Sequence, residues 1–180
     1  MNVWSRKQLL TGQFLGILLA LTLVHQSAAE ETDDGVRMGF LGWHVGVVVP
    51  IVSRSAGETT TVADNFTFGS PIGVTVLKAK RMAVDLELVP SVDPGTSENL
   101  TFHPGLIVGL KDNLATGVRA AVDVKGSAWG FTPLLNRAFS FGDGGNKYFF
   151  ELVLPVRFVD DDTGESRTSV GMGIHFGFAF

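Results

Sequence analysis

The sequence predicts an all-β protein: an eight-stranded antiparallel up-and-down transmembrane β-barrel, preceded by a cleavable signal peptide. Large apolar residues alternate with small or polar residues through most of the chain after residue 35. Such period-two alternation is typical of strands with two different faces. The last strand carries an aromatic stripe, because Ile174, Phe176, Phe178 and Phe180 alternate with glycine, histidine and alanine. An aromatic strand of this kind needs a neighbouring edge and an apolar solvent, and a closed barrel in a bilayer supplies both.

The N-terminal segment has the three regions of a secretory signal peptide. A basic pair at 6–7 is followed by an apolar run over 9–24 and by small residues at 27–29. An inner-membrane anchor is the alternative, but this run is shorter than the ~20 residues that a spanning helix needs. We therefore expect a signal peptide over 1–29 and a single outer-membrane β-barrel domain over 30–180.

Composition narrows the classes of partner. Without the basic pair at 6–7, the chain keeps 12 of its 14 basic residues against 18 acidic ones, a net charge near −6. So acidic a balance argues against a nucleic-acid partner. The chain has no cysteine, so disulfide bonds cannot stabilise it in an oxidising compartment.

Eight alternating segments follow in order, each with a large apolar face and a smaller or polar face. The fifth is the clearest, because Val118, Val122 and their neighbours oppose Arg119 and Asp123. The sixth begins at Trp129 and contains Pro133, and it loses phase around Asn136 and Arg137, where we expect a β-bulge. The fifth segment covers 113–125, and the six segments besides the fifth and sixth cover 36–52, 65–79, 81–90, 99–111, 146–160 and 167–180.

Strand length and loop length favour a membrane protein. Tyr148 and Phe158 bound eleven residues of the seventh segment, which at ~3.3 Å per residue and a tilt of ~40° span roughly 28 Å, enough for an apolar band ~25 Å tall. We expect outward loops at 53–64, 91–98, 126 and 161–166. Shorter turns at 79–80, 112 and 142–145 are expected on the periplasmic side.

Charged residues on the inner face form the candidate site. An eight-stranded interior is just wide enough to be filled by side chains, and charges buried there must be paired. The prediction is a structural salt-bridge plug in which Arg119 is the one basic side chain at mid-height, with histidines nearby. The predicted lumen charges are Asp85, Glu87, Arg119 and Glu151 at mid-height, near His44, His103 and His175, with Asp123 and Arg157 together higher up.

With its leader, eight alternating segments and aromatic end, the chain resembles the small eight-stranded outer-membrane barrels of the OmpA transmembrane-domain, OmpX and OmpW type. That family's assembly signal of alternating aromatics is matched by Phe176, Phe178 and Phe180, while His175 stands where a glycine is usual. The resemblance implies the outer membrane of a Gram-negative bacterium. It also implies contact with outer-membrane lipids and lipopolysaccharide, and insertion by periplasmic chaperones and the barrel-assembly machinery.

The leading functional hypothesis is a non-enzymatic, monomeric barrel protein with a plugged lumen and a structural or surface-interaction role. No metal, cofactor or nucleic acid is expected. An enzyme of the lipid A-modifying kind would need a serine nucleophile beside a histidine, and His175 is followed by Phe176 instead. The first alternative is a narrow small-solute or proton channel, and the second is a soluble secreted carrier of lipocalin type.

Overall fold

The computed structural model of the protein describes residues 30–31, 35–92, 99–124, 126, 128–160 and 166–180. All the regular structure in these residues is β-strand. No helix in these ranges is long and apolar enough to cross a membrane. The predicted signal peptide over 1–29 lies outside the described residues.

Twelve strand segments follow one another along the described chain. They are β1 (Glu30–Glu31), β2 (Val36–Ser55), β3 (Glu58–Thr61), β4 (Phe68–Gly69), β5 (Ile72–Ala79), β6 (Met82–Val92), β7 (Asn99–Gly109), β8 (Leu114–Asp123), β9 (Ala128–Ser140), β10 (Lys147–Val153), β11 (Val156–Asp160) and β12 (Ser166–Ala179).

The segments form a closed ring of eight antiparallel strand positions. Each position pairs with the next along the chain: β2, β4 with β5, β6, β7, β8, β9, β10 with β11, and β12. Strand β12 then pairs back with β2, from Ser169 opposite Ser55 to Ala179 opposite His44. The predicted all-β, antiparallel, up-and-down arrangement of eight strands is therefore confirmed.

Two prolines interrupt predicted continuous strands. The 65–79 segment breaks at Pro71, between β4 and β5, and the 146–160 segment breaks at Pro155, between β10 and β11. Proline has no N–H to donate to a ladder, but its carbonyl still accepts. The carbonyl of Pro71 accepts from the N–H of Gly46 (N···O 3.0 Å), and that of Pro155 accepts from Gly171 (2.9 Å). The ring therefore stays closed across both breaks.

Strand β9 carries no bulge, so the bulge predicted near Asn136 and Arg137 was wrong. Its pairing with β10 runs unbroken from Leu134 to Ser140. The alternation holds because Asn136 points inward, where its amide donates to Glu151, while Arg137 points outward with its guanidinium 5.4 Å from the ring centre of Phe139. An outward arginine was mistaken for a loss of phase.

The two ends of the ring differ. At one end, called here the short-turn end, tight turns join β5 to β6, β7 to β8 and β9 to β10. These turns place residues in the left-handed region of φ, namely Lys80, Asp112, Asn113, Gly142 and Gly145. Asp and Asn tolerate this conformation better than most residues, and glycine adopts it without strain. Phe180 also lies at this end, opposite Trp43.

The opposite end is called the long-loop end. The predicted outward loop at 53–64 is mostly a hairpin, because β2 runs to Ser55 and turns back into β3 through Ala56 and Gly57. After β3, the backbone N–H and the Oγ1 of Thr61 both donate to Oδ2 of Asp64, at 2.9 and 2.8 Å. These bonds lower the pKa of the Asp64 carboxyl. Residues 93–98 and 161–165, in two other predicted loops, lie outside the described residues.

The polarity of the ring is inverted relative to a soluble protein. Outward apolar side chains are exposed, for example Phe150 at 53% and Ile174 at 44%. Inward charged side chains are buried, for example Glu87 and Glu151 at 2%. The inner and outer faces predicted from period-two alternation are confirmed in the central strands β6 to β8.

Candidate functional site

The buried charges come from three strands and meet because of the strand register. Asp85 on β6 lies opposite Gly105 on β7, and Gly105 lies opposite Arg119 on β8. A Cβ atom at Gly105 would lie 2.7 Å from Cγ of Arg119, closer than real Cβ contacts allow. The missing side chain of Gly105 therefore lets the Arg119 side chain cross β7 and reach Asp85.

Arg119 contacts three carboxylates. Its Nη1 donates to Oε1 of Glu151 at 2.5 Å, and its Nη2 and Nε donate to Oδ2 of Asp85 at 3.1 and 3.3 Å. The Oε2 atom of Glu87 lies 3.8 Å from Nη2, an ion-pair distance. The guanidinium thus uses its planar fork to hold carboxylates from two strands.

Two histidines complete the surroundings of Glu87. His103 lies opposite Glu87 in the β6–β7 ladder, and its Nδ1 is 3.3 Å from Oε1. His44 reaches across Gly73, which separates it from Glu87 in the register, and its Nε2 is 3.0 Å from Oε2. An ionised carboxylate only accepts, so both imidazoles donate to Glu87.

Glu151 is held in the same way from the other side. Its cross-strand neighbours are His175 on β12 and Asn136 on β9, and both hydrogen-bond to it, at 3.2 and 3.3 Å. The ring of His175 also packs edge-on against Phe149, with centroids 4.9 Å apart. A Cβ on Gly46 would lie 2.6 Å from Nε2 of His175, so this glycine makes room for the imidazole.

We call these residues the lumen cluster: Asp85, Glu87, Arg119, Glu151, His44, His103 and His175. Every member is buried, with exposures from 2% to 9%. Within the described part of the chain, two fully buried side-chain polar atoms of the cluster have no hydrogen-bond partner, namely Oδ1 of Asp85 and Nε2 of His175. The structure therefore brings together the four charges and three histidines that the sequence placed at mid-height.

Asp123 and Arg157 lie toward the long-loop end, and each forms hydrogen bonds with other residues rather than with its predicted neighbour. Asp123 accepts from Nδ2 of Asn99 and Oγ1 of Thr101, both at 2.9 Å. Arg157 donates from Nη1 to Oγ1 of Thr132 at 3.0 Å and from Nη2 to Nε2 of His103 at 3.3 Å. As predicted, Asp123 and Arg157 lie together toward one end, where both line one cavity and interact through space, although no hydrogen bond joins them.

Sequence reasoning missed the inward aromatic residue of β10. Phe149 is 6% exposed and lies on the short-turn side of Glu151, while Val153 lies on the long-loop side. The signal was available, because Phe149 and Glu151 are two residues apart and share a face. The run of aromatic residues at 148–150 hid this alternation. Phe149 therefore adds an apolar layer beneath the lumen cluster.

The charged groups and histidines of the lumen cluster are engaged with one another in the described residues. The cluster histidines hydrogen-bond to carboxylates and to Arg157 rather than to a serine hydroxyl. One atom each from His44, Asp85 and Glu87 lies within 4.8 Å of the others, a possible spacing for a metal. However, Nη2 of Arg119 already lies within ion-pair distance of both carboxylates, so the guanidinium supplies the positive charge there.

The predicted assembly signal lies on the outer face of β12. Phe176, Phe178 and Phe180 are 44%, 50% and 46% exposed. The backbone N–H and carbonyl of Phe180 exchange hydrogen bonds with Trp43, at 2.9 and 3.1 Å, and the two rings stack with centroids 4.5 Å apart. Phe180 therefore forms the last rung between β12 and β2.

No family model, curated protein or solved structure matches this chain. The resemblance to small outer-membrane barrels consequently depends on the residue pattern alone.

Proposed function

We propose that this chain is an integral outer-membrane β-barrel protein of a Gram-negative bacterium, non-enzymatic and closed inside by its own side chains. Its role is structural, or it presents a surface at the long-loop end. The observation that carries the proposal is the inverted polarity of a closed ring: charged residues are buried inside and large apolar residues are exposed outside. A closed ring leaves no unpaired strand edge, which a bilayer would not tolerate.

Aromatic side chains on the outer face support the membrane assignment because they form two bands. Near the short-turn end, Phe139 stacks on Tyr148 with centroids 5.0 Å apart. Near the long-loop end, Trp129 packs on Phe158 at 4.6 Å. Aromatic girdles mark both interfaces of transmembrane barrels.

The separation of the bands matches a bilayer. Ten residue steps along β9 separate Trp129 from Phe139. At a rise of ~3.3 Å and a tilt of ~40°, these steps project to about 25 Å along the membrane normal. The apolar band of outer-membrane barrels is ~25 Å tall, so the two bands fit the two interfaces.

The proposed closed lumen follows from the side chains that cross it. Arg119 links Asp85 on β6 to Glu151 on β10, and Phe149 fills the layer beneath. Burying a charge is tolerated only when it is paired, and each cluster charge here has an oppositely charged or hydrogen-bonding partner. We expect no steady conductance from such an interior.

A narrow channel remains the second candidate, because the long-loop half of the ring contains a cavity of about 580 Å³. That cavity ends on the lumen cluster, whose Glu87, Arg119 and Glu151 are among its lining residues. A conducting state would therefore require the cluster to move. A soluble carrier of lipocalin type is less well supported, since it would need an apolar interior and a polar surface.

Three measurements test the proposal. The chain should fractionate with the outer membrane, and the folded protein should migrate differently from the heated protein on a denaturing gel. In planar bilayers the parent should show no steady conductance. Recovery in the soluble periplasmic fraction would contradict the membrane assignment, and steady conductance would move the channel to first place.

Proposed partners follow from the same assignment. The outer face would contact outer-membrane lipids and lipopolysaccharide, and periplasmic chaperones and the barrel-assembly machinery would act during insertion. The Phe176, Phe178 and Phe180 stripe would be the recognised signal. Depletion of the assembly machinery should lower the amount of folded protein, and unchanged folding would refute this route.

A further inference from the structure

The long-loop half of the ring contains a cavity lined by both apolar and charged residues. Its volume is about 580 Å³, within the 300–1,000 Å³ of typical small-molecule sites. Apolar groups line its sides, including Val48, Pro71, Val89, Val153 and Pro155. Charged and polar groups also line it, namely Arg157, Asp123 and the lumen-cluster residues Glu87, His103, Arg119 and Glu151. The cavity therefore offers an apolar wall next to a cationic group.

Arg157 is a cation of the cavity that has no carboxylate in contact with it among the described residues. Its Nη1 lies near three neutral oxygens: Oγ1 of Thr132 and the carbonyls of Phe131 and Val156. Its Nη2 meets Nε2 of His103 at 3.3 Å. Among the residues that the structure describes, no carboxylate oxygen lies within 4.0 Å of its nitrogens. Arg119, in contrast, is surrounded by carboxylates.

The contacts of His103 show that it is a neutral acceptor toward Arg157. An arginine side chain always donates, so Nε2 of His103 accepts from Nη2 of Arg157. The proton of His103 then lies on Nδ1, which donates to Oε1 of Glu87 at 3.3 Å. This neutral histidine therefore does not balance the charge of Arg157. The charge of Glu87 is balanced within the lumen cluster, by the nearby Arg119 and by hydrogen bonds from His44 and His103.

Two more carboxylates line the cavity: Glu151 is paired with Arg119, and both oxygens of Asp123 accept hydrogen bonds from Asn99 and Thr101. Asp123 attracts Arg157 through space, but within the described residues no carboxylate is in ion-pair contact with the guanidinium. A partly buried guanidinium with no carboxylate in contact is a recognition group for a carboxylate. The valines and prolines beside it would contact an aliphatic chain.

We infer that this cavity is a binding site for a small aliphatic monocarboxylate, with its carboxylate on Arg157 and its chain along Val89, Val153 and Pro155. The inference goes beyond the proposed function. Its failure would leave the outer-membrane assignment standing, because gel mobility and fractionation test that assignment separately.

Binding of octanoate to the protein in lipid nanodiscs tests the inference. The carboxylate is carbon-13 labelled, its resonance is followed by NMR, and empty nanodiscs give the background for partition into lipid. The expected result is saturable binding, with octan-1-ol and octylammonium at least about tenfold weaker, because neither can accept two charge-assisted hydrogen bonds from a guanidinium.

Variants locate the site. Arg157→Gln should weaken octanoate binding at least about tenfold, while the matched control Arg137→Gln, on the outer face, should leave it unchanged. Asp123→Asn should strengthen binding, since it removes a negative charge that faces the same cavity. Each variant is first shown to keep its heat-modifiable gel mobility.

If Arg157→Gln fails to fold, two other variants test the inference. Arg157→Lys should bind octanoate more weakly than the parent, and Asp123→Asn should bind it more strongly. Absence of saturable octanoate binding by the folded parent would overturn the inference. Equal affinity for octanoate and octan-1-ol would overturn it too, as would an Arg157→Gln protein that binds as the parent does.

Discussion

Removal of the Arg119 guanidinium should destabilise the protein strongly. Arg119→Ala removes the contacts to Glu151 at 2.5 Å and to Asp85 at 3.1 and 3.3 Å, and it removes the ion-pair contact to Glu87 at 3.8 Å. Three buried carboxylates would then face one another without the guanidinium between them. Breaking a buried charge cluster in this way typically costs ~3–5 kcal/mol of unfolding free energy, and we expect a loss in that range.

The loss can be measured by urea unfolding of the refolded protein in lipid vesicles, followed by the fluorescence of Trp43 and Trp129, which lie on the outer face. Arg137→Ala is the matched control, because it removes an outward arginine that contacts the ring of Phe139. An exposed cation–π contact contributes only about 0.5–1 kcal/mol. The two arginine variants should therefore differ by several-fold in their effect.

A double-mutant cycle isolates the ion pair itself. Arg119→Met keeps an apolar stem, and combining it with Glu151→Gln removes one of the carboxylates left behind. The double variant should be more stable than the sum of the single effects predicts, with a coupling energy of about 1–3 kcal/mol. Additive effects, or an Arg119→Ala protein as stable as the parent, would refute the pairing described for the lumen cluster.

Three further predictions concern the outer face, the last rung and the long-loop hairpin. Leu152→Arg, which places a charge among exposed apolar side chains near mid-height, should cost ~2–4 kcal/mol in vesicle unfolding if that face meets lipid, and a neutral effect would contradict that facing. Deletion of Phe180, which removes the paired backbone bonds to Trp43, should sharply lower the amount of heat-modifiable protein in cells, and an unchanged amount would argue against its role in assembly. The hydrogen bonds from Thr61 lower the pKa of the Asp64 carboxyl below its ordinary value of 3.8. The ionised carboxylate therefore stabilises the hairpin at neutral pH, and this stabilisation is lost as the pH falls through the lowered pKa. Asp64→Asn should therefore remove the acid dependence of protease cleavage in the β2–β3 hairpin, and persistence of that dependence would assign it to another group.

Much of the ring could be predicted because period-two alternation is a local property of the chain. It placed Glu87 and Arg119 inside and Leu152 outside without any knowledge of the strand register. The meeting of the mid-height charges also followed, since antiparallel neighbours of similar length align their centres. The sequence showed that the inner face carries glycines. It could not show which side chain passes over each glycine, as that of Arg119 does over Gly105.

The errors have physical causes. Strands are divided at Pro71 and Pro155, whereas Pro133 lies inside the unbroken β9. The carbonyls of Pro71 and Pro155 keep the ring bonded across the breaks, and a pattern of side chains cannot show that compensation. Arg137 was taken as a phase change, although an arginine can lie on an apolar face when its stem packs along an aromatic ring. The partners of Arg157 could not be predicted, because they depend on which inward groups the two neighbouring strands bring to its level.

The central claim is that the apolar outer face of a closed ring meets lipid, and bilayer-confined quenching tests it most directly. An environment-sensitive fluorophore attached to a cysteine at position 152 should be quenched strongly by lipids brominated near the bilayer centre, while the same fluorophore at the neighbouring position 153 should be protected. Fluorophores at positions 148 and 158 should respond instead to lipids brominated near the headgroups. Stronger quenching at 153 than at 152, or no quenching at any of these positions, would contradict the account.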